Sequence, residues 1–309
     1  MEMERPLVGL ALSTGGPRGA AHVGVLKVLE EHGIPIDIIV GTSIGALVGG
    51  AYAAGVPLPR IEEEWLKTDL LRVAKSFLPT FPIRGWSSGS SVLRMLQGLL
   101  GGAKIEELPR KFAAVAADLV TGCEVILQEG PLVEALRASS SIPGLFVPVE
   151  REGQVLVDGG LVNPLPVDVA RRLGAEVVIA VDLSYYPRLS PRQPAPGLPQ
   201  RALRLVEGRL RGLLPESWAG QLRHLTEEER AALRQTAPNV INTLILASVV
   251  LQRRIVELNL RLAPPEVLIR PEFAANPPRY HQAERGIKAG EAAAREAIPQ
   301  IERLILSRS

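Results

Sequence analysis

The chain begins with two short apolar runs, each followed by a stretch with helical spacing. Residues 7–12 are apolar and end at a glycine-rich loop, 13–19, and residues 20–32 then repeat apolar side chains at helical intervals. The second run, 36–40, precedes a second helical stretch, 44–54. Short uninterrupted apolar runs are typical of strands buried on both faces. Their alternation with helices predicts a parallel sheet with right-handed crossovers.

The same patterns recur further along the chain. They predict strands at 112–117, 124–128, 154–157, 177–181 and 266–270. They predict helices at 131–138 and 284–306, and a mixed, mostly helical region at 57–110. The apolar stretch 240–251 is shorter than the ~20 residues that a bilayer crossing needs, and it is interpreted as a buried helix. The sequence therefore predicts an α/β fold with a central, mostly parallel sheet flanked by helices.

No internal repeat or clear domain boundary interrupts this pattern, so we expect one domain, 1–309. Five prolines without periodicity mark 186–200 as a loop. An amphipathic, arginine-bearing helix is predicted at 201–214. Its charged face is either a lid or lipid-surface element or the solvated side of a packed helix. Together these segments form a predicted proline-rich insertion and helix at about 186–236.

Composition narrows the classes of function. Hydrophobic residues make up 46% of the chain and charged residues 22%, as in ordinary globular proteins. The net charge is +2, which gives no basis for a nucleic-acid partner. The single cysteine, Cys123, rules out a disulfide within the chain and favours a cytoplasmic location. No clustered carboxylate loop is present, and we expect no metal or cofactor.

The second strand ends in a serine motif that is typical of hydrolases. Gly41 to Gly45 has the pattern Gly-x-Ser-x-Gly, with Ser43 between a predicted strand and a predicted helix. In this context the serine sits on a sharp turn and is exposed to attack a carbonyl, and flanking glycines avoid clashes. The alternative interpretation is a tight turn with a helix-capping serine.

The glycine-rich loop after the first strand favours the nucleophile interpretation. If the first two strands are neighbours, this loop lies beside Ser43, because parallel strands end at the same edge. The N–H groups of Gly15 and Gly16 then reach an oxyanion formed at that serine. Two alternatives fit poorly. A dinucleotide fingerprint needs glycine where Thr14 stands, and a phosphate-binding P-loop needs a Gly-Lys-Ser/Thr sequence, which is absent.

A serine nucleophile also needs a base. None of the four histidines lies in a loop of catalytic type: His22, His32, His224 and His281. Asp158 follows a short apolar strand and precedes Gly159 and Gly160, so it is placed at a strand end, where active-site residues of α/β sheets collect. The alternative is a plain turn aspartate, since Asp-Gly is a common turn pair.

These motifs together resemble the bacterial patatin-like phospholipases, a family of lipid acyl hydrolases. The similarity is carried by four blocks: 12–26, 41–45, 137–143 and 158–160. It covers residues 7–182 well. The resemblance implies a patatin-like three-layer sandwich that hydrolyses a lipid or another acyl ester. Peripheral contact with the inner face of the membrane and the oligomeric state both stay open.

The resemblance further implies roles for individual residues. Ser43 would attack the ester carbonyl and Asp158 would be its base, without a histidine. The amides of Gly15 and Gly16 would hold the oxyanion. Arg18 would support that loop or bind an anionic head group. The remaining glycines of the blocks would complete the oxyanion loop or support the two motifs: Gly19, Gly41, Gly45, Gly159 and Gly160.

Thr14 departs from the family pattern, which usually has glycine at this position. Pro17, three residues later, has no N–H and cannot be an oxyanion donor. Two further functions therefore stay open. One is a catalytically silent or regulatory protein on the same fold, and the other is an α/β-hydrolase-type esterase with a Ser-Asp-His triad that uses His224 or His281.

Overall fold

The structure is a computed structural model that describes most of the chain. The described residues are 5–67, 90–184, 240–273 and 282–307. The chain divides into two compact units, Met1–Leu189 with Val249–Ser309, and Ser190–Ser248. Of the second unit, only residues 240–248 are described. The predicted insertion and helix at about 186–236 lie outside the described residues, so this part of the domain prediction stays a prediction.

Strands and helices alternate through the first unit. The described strands are β1 (Val8–Leu12), β2 (Ile38–Thr42), β3 (Lys111–Asp118), β4 (Glu124–Leu127), β5 (Val149–Arg151), β6 (Gln154–Asp158), β7 (Val177–Val181) and β8 (Val267–Ile269). The described α-helices are α1 (Ala20–Glu31), α2 (Ile44–Ala53), α3 (Leu58–Leu66), α4 (Ser90–Leu100), α5 (Leu132–Ser139), α6 (Val167–Arg172), α7 (Val240–Leu262) and α8 (Ala283–Leu306). Short 3-10 turns lie at Gly16–Gly19, Ile105–Glu107 and Gly159–Leu161.

All described strands join one mixed sheet. Its order is β5-β6-β3-β2-β1-β7-β8, and β4 pairs with β3 beside this path. The pairs β3-β2, β2-β1, β1-β7 and β7-β8 are parallel, whereas β4, β5 and β6 run antiparallel to their neighbours. The predicted α/β fold with a central, mostly parallel sheet is confirmed.

One edge of β3 receives two different strands, end to end. Thr42, the last residue of β2, pairs with Val115, and the next residue, Ala116, pairs with Asp158 of β6. β4 occupies the other edge of β3, because it pairs with both Val115 and Ala116. The end of β2 and the end of β6 therefore meet along a single strand edge.

Helices cover both faces of the sheet and make three layers. On one face, Leu10 and Phe112 pack in a core with α1, α2, α5 and α8. On the other, Val40 and Val115 pack with α6 and with Val256 of α7. Strands that are buried on both faces must be apolar at successive positions, which is why the sequence shows runs instead of alternation.

One prediction of burial is wrong. The stretch 240–251 was expected to be a buried helix, but α7 continues to Leu262, and Val250 and Leu251 are 68% and 59% exposed. A helix packed on a sheet buries one face only, and here Val256 lies on that face with 1% exposure. In the described part of the chain, every helix falls short of the length and apolarity that a bilayer crossing requires.

Helices α1 and α8 touch through glycines. A Cβ on Gly24 would collide with the carbonyl of Ile287, and one on Gly290 would collide with the carbonyl of Ala21. The two backbones are therefore in direct contact, and α8 is packed against the helix that follows the glycine-rich loop.

Alanine in place of glycine ordinarily stabilises a helix, but at Gly24 this contact predicts the opposite effect. Gly24→Ala is expected to lower the free energy of unfolding by about 2 kcal/mol, because the added methyl forces the helices apart. The matched control is Gly98→Ala on α4, where nothing lies within 4 Å of a Cβ. That change should raise the free energy of unfolding by up to about 1 kcal/mol through helix propensity. Urea unfolding measures both, and an equal gain from the two substitutions would contradict the close helix contact.

Candidate active site

Ser43 lies in the turn between β2 and α2 and has φ 57° and ψ −121°. Positive φ is strained for a residue with a side chain. The backbone is crowded at both flanks, since a Cβ on Gly41 would meet Ala46 N and one on Gly45 would lie 2.6 Å from Ser13 O. This is the strand–turn–helix geometry that places a nucleophilic serine at the carboxyl ends of the sheet strands.

The structure brings Ser43 and Asp158 together. Ser43 Oγ donates a hydrogen bond of 2.6 Å to Asp158 Oδ2, and Asp158 Oδ1 accepts one of 2.8 Å from the N–H of Gly160. Both residues are buried, with 8% and 4% exposure. Gly159 lies against β3, where a Cβ would meet the carbonyl of Val115. Asp158 therefore presents one oxygen to the serine hydroxyl while the other is fixed by its own turn.

Burial sets the protonation of this carboxyl. It raises the pKa of Asp158 to about 6, and the hydrogen bonds from Ser43 and Gly160 oppose the rise. The cause is the loss of hydration of the charged form. At pH 7 the carboxylate is therefore ionised and accepts the hydrogen bond from the Ser43 hydroxyl, and below about pH 6 it becomes protonated.

The glycine-rich loop lies beside the serine turn, as predicted, because β1 and β2 are parallel neighbours. Thr14 N donates to Pro164 O at 2.9 Å, and Ser13 Oγ donates to Thr14 O at 2.9 Å. Gly16 has φ 53°, which favours glycine. In the described residues, the N–H groups of Gly15 and Gly16 donate to no other protein group. Two backbone donors therefore remain for a ligand at this loop.

Arg18 holds the glycine-rich loop through its side chain. Its side chain is buried, Nε donates to Gly15 O at 3.2 Å, and Nη1 donates to Leu183 O. Of the two predicted roles, this geometry favours loop support over head-group binding. Gly19 packs against the elbow, because a Cβ there would collide with Ile44. Without a side chain at Gly19, the loop lies close to the serine turn.

Two serines that the sequence reasoning did not single out hold the backbone of the pair. Ser139 Oγ accepts from Ser43 N at 2.9 Å and donates to Val115 O at 2.6 Å. Ser141 O accepts from Asp158 N at 2.9 Å. The end of α5 thus ties together the turn after β2 and the end of β6. The resemblance covers this segment, but no local pattern marks which serine faces the site.

The two described histidines lie away from the serine–aspartate pair. His22 is fully buried, and its Nε2 lies 2.9 Å from Ser13 O, while Nδ1 has no hydrogen-bond partner within the described residues. Burial lowers the pKa of His22 to about 4, so the ring is neutral and Nε2 donates to the carbonyl. His32 lies near the surface, 3.7 Å from Glu302. The other two candidates for a triad lie outside the described residues: His224 and His281.

Comparison with known proteins finds a family that matches more than half of the chain. The family model described as Patatin-like phospholipase matches residues 10–171, which contain all three motifs. An uncharacterized NTE family protein of Mycobacterium tuberculosis is 41% identical over 182 residues, which are 58% of this chain and 49% of that protein. Patatin-like phospholipase domain-containing protein 6 of Mus musculus is 36% identical over 182 residues, 57% of this chain and 13% of that protein. The chain thus spans about half the length of the mycobacterial relative.

A solved structure with a similar fold is VipD from Legionella pneumophila. The similarity covers 97% of this chain and 67% of that chain, with 12% identity and a TM-score of 0.47.

The raised pKa of Asp158 predicts that removing its charge stabilises the protein near neutrality. The folded pKa of about 6 lies above the ordinary value of 3.8, so the stabilising contribution is full below pH 3.8 and is lost as pH rises through 6. Asp158→Asn should therefore raise the free energy of unfolding at pH 7.5 by up to about 3 kcal/mol. The gain should shrink as the pH falls to 4.5, as measured by urea unfolding.

Asp37→Asn is the control for this prediction, and its expected effect on the free energy of unfolding has the opposite sign. The hydrogen bond from Arg5 lowers the pKa of Asp37, so Asp37→Asn should destabilise the protein at pH 7.5 and less so in acid. A difference between wild type and Asp158→Asn that does not vary with pH would contradict the raised pKa.

Proposed function

Because the chain belongs to the patatin-like phospholipase family, we propose that it is a serine acyl-ester hydrolase acting on lipids, with Ser43 as nucleophile and Asp158 as base. The observation that carries the proposal is the 2.6 Å hydrogen bond from Ser43 Oγ to Asp158 Oδ2 in a buried turn. A hydroxyl becomes a useful nucleophile when an adjacent base takes its proton. In the described residues, no other base contacts the hydroxyl.

Acylation follows from this hydrogen bond. Asp158 Oδ2 accepts the hydroxyl proton while Ser43 Oγ forms a bond to the carbonyl carbon of the ester, and the carbonyl oxygen becomes negatively charged. The tetrahedral intermediate then breaks its bond to the alcohol group, which takes the proton from Asp158 as it leaves. The product of this half-reaction is an acyl ester on Ser43 and a free alcohol.

Deacylation uses the same groups with water in place of the alcohol. Asp158 accepts a proton from water while the water oxygen attacks the acyl carbon. Asp158 then returns the proton to Ser43 Oγ as the carboxylic acid leaves. One carboxylate thus serves both half-reactions. Its pKa of about 6 suits this task, since an effective acid–base group has a pKa near the working pH.

The oxyanion formed in both steps needs donors that are already in place. The N–H groups of Gly15 and Gly16 are available for this, and the N-terminus of α2 begins directly after Ser43. Backbone donors and a helix N-terminus stabilise negative charge without reorganisation. The buried contacts of Arg18 with Gly15 O and Leu183 O hold the loop that carries these donors.

The proposed substrates are phospholipids, lysophospholipids or other acyl esters. The family description supports this class. Peripheral contact with the inner face of the membrane and a cytoplasmic location belong to the same proposal, and the single cysteine of the chain supports the location.

Replacing the nucleophile tests the proposal directly. Ser43→Ala should lower kcat on a p-nitrophenyl acyl ester and on a lysophospholipid by at least about a thousandfold. A fluorophosphonate probe should label wild type and fail to label this variant. The control is Ser140→Ala, since that hydroxyl donates to Leu136 O in its own helix. A wild type that neither hydrolyses esters nor reacts with the probe would favour a catalytically silent protein.

The pH dependence of hydrolysis should follow the titration of Asp158. Only the ionised carboxylate accepts the serine proton, so kcat/KM should fall as the pH drops below about 6. The histidine alternative is separated by His224→Asn and His281→Asn, which should keep both the activity and the acid limb. Loss of activity in either variant would favour a Ser-Asp-His triad instead.

A further inference from the structure

Gln252 on α7 reaches the edge of the proposed active site. A Cβ on Gly160 would lie 2.7 Å from Gln252 Nε2, 2.9 Å from Thr14 Cγ2 and 3.0 Å from Asp158 Oδ1. Side chains from a loop, a helix and a strand end therefore converge on one point beside the Asp-Gly-Gly turn. These distances place Gln252 Nε2 within about 6 Å of Asp158 Oδ1.

A hydrogen bond joins Gln252 to the glycine-rich loop. Thr14 Oγ1 lies 3.2 Å from Gln252 Oε1, and the hydroxyl is the donor because the amide oxygen only accepts. Thr14 is also held through its N–H by Pro164 O and through its carbonyl by Ser13 Oγ. Three hydrogen bonds thus fix the residue that directly precedes the proposed oxyanion amides, and the bond to Gln252 links it to a helix.

Helix α7 is itself anchored next to the site. Gln252, Val256 and Asn259 are spaced by four and three residues, so they share one face of the helix. Val256 on that face is buried, and Asn259 Nδ2 donates to Asn163 Oδ1 at 3.4 Å. The carbonyl of Asn163 in turn accepts from Thr42 Oγ1 at 2.8 Å, one residue before Ser43. The same helix face therefore contacts the glycine-rich loop and the segment that supports the serine turn.

We propose that Gln252 is a positioning residue for the reaction, acting through Thr14 on the amides of Gly15 and Gly16. This role rests on the proposed function. The hydrogen bond to α7 acts together with the bond from Ser13 Oγ to Thr14 O to restrict rotation of the Thr14–Gly15 peptide, which a loop of two glycines does not restrict by itself. Donors aimed at the oxyanion before the substrate arrives lower the barrier to reaction and do not change the binding of the ground state. Loss of the bond therefore lowers kcat and leaves KM almost unchanged.

The experiment removes each partner of the bond with little change of shape. Thr14→Val and Gln252→Leu should each lower kcat on a p-nitrophenyl acyl ester about tenfold, as expected for one hydrogen bond. The double variant should be no slower than either single variant, because both remove the same bond. Thr14→Ser keeps the hydroxyl and should retain kcat within about twofold. Gln97→Leu, at an exposed position on α4, is the matched control and should behave as wild type.

Each result bears on the proposal. A kcat loss that appears in Thr14→Val and Gln252→Leu, is restored in Thr14→Ser and is not additive supports it, provided that urea unfolding shows each variant folded. Wild-type kcat in either variant, a change confined to KM, or losses that multiply in the double variant would overturn it. An inactive wild type would overturn the proposed function and this role together, whereas an active wild type with unaffected variants overturns this role alone.

Discussion

The pairing along one edge of β3 is the constraint on which the site depends. Along β3, pairing with β2 ends at Val115 and pairing with β6 starts at the next residue, Ala116, so two strands that approach from opposite directions end next to each other. Ser43 and Asp158 are the residues at those two ends. Their contact therefore follows from the register of the backbone pairing. The end of α5 reinforces it, because Ser139 and Ser141 bind the backbone on both sides of the junction.

Two residues of this site are held in the folded protein in states that cost free energy. Ser43 has a strained backbone, and Asp158 is a carboxylate in a place that disfavours its charge. Away from the pair, His22 is a further residue of this kind, because burial opposes protonation of its ring. The pH effects of His22 and Asp158 oppose each other: acid between about pH 6 and 4 destabilises through the histidine and stabilises through the aspartate. The two buried groups therefore partly cancel in the pH dependence of the whole protein.

Local patterns predicted the fold, and the family resemblance implied the pair of Ser43 and Asp158, but neither indicated the residues that contact the site from elsewhere in the chain. Apolar runs and the strand–turn–helix setting of Gly41 to Gly45 sufficed for the parallel order of β1 and β2. Gln252 carries no such signal, because its importance arises only when α7 packs near Thr14, which lies far away in sequence. The burial predicted for 240–251 failed for a related reason. Counting apolar residues along a chain does not reveal that only one side of a helix meets the sheet.

The glycine contact between α1 and α8 has a consequence for how the protein is made. Gly24 belongs to the helix that follows the glycine-rich loop, and the part of α8 that it contacts, at Ile287, is synthesised long after it. Contacts between segments that are far apart in sequence form late in folding, because closing the long loop between them costs conformational entropy. The serine turn and its loop are synthesised before α8, so α1 lacks this packing partner until α8 docks. We expect the nascent chain to carry all its motifs for some time before it holds them in a working arrangement.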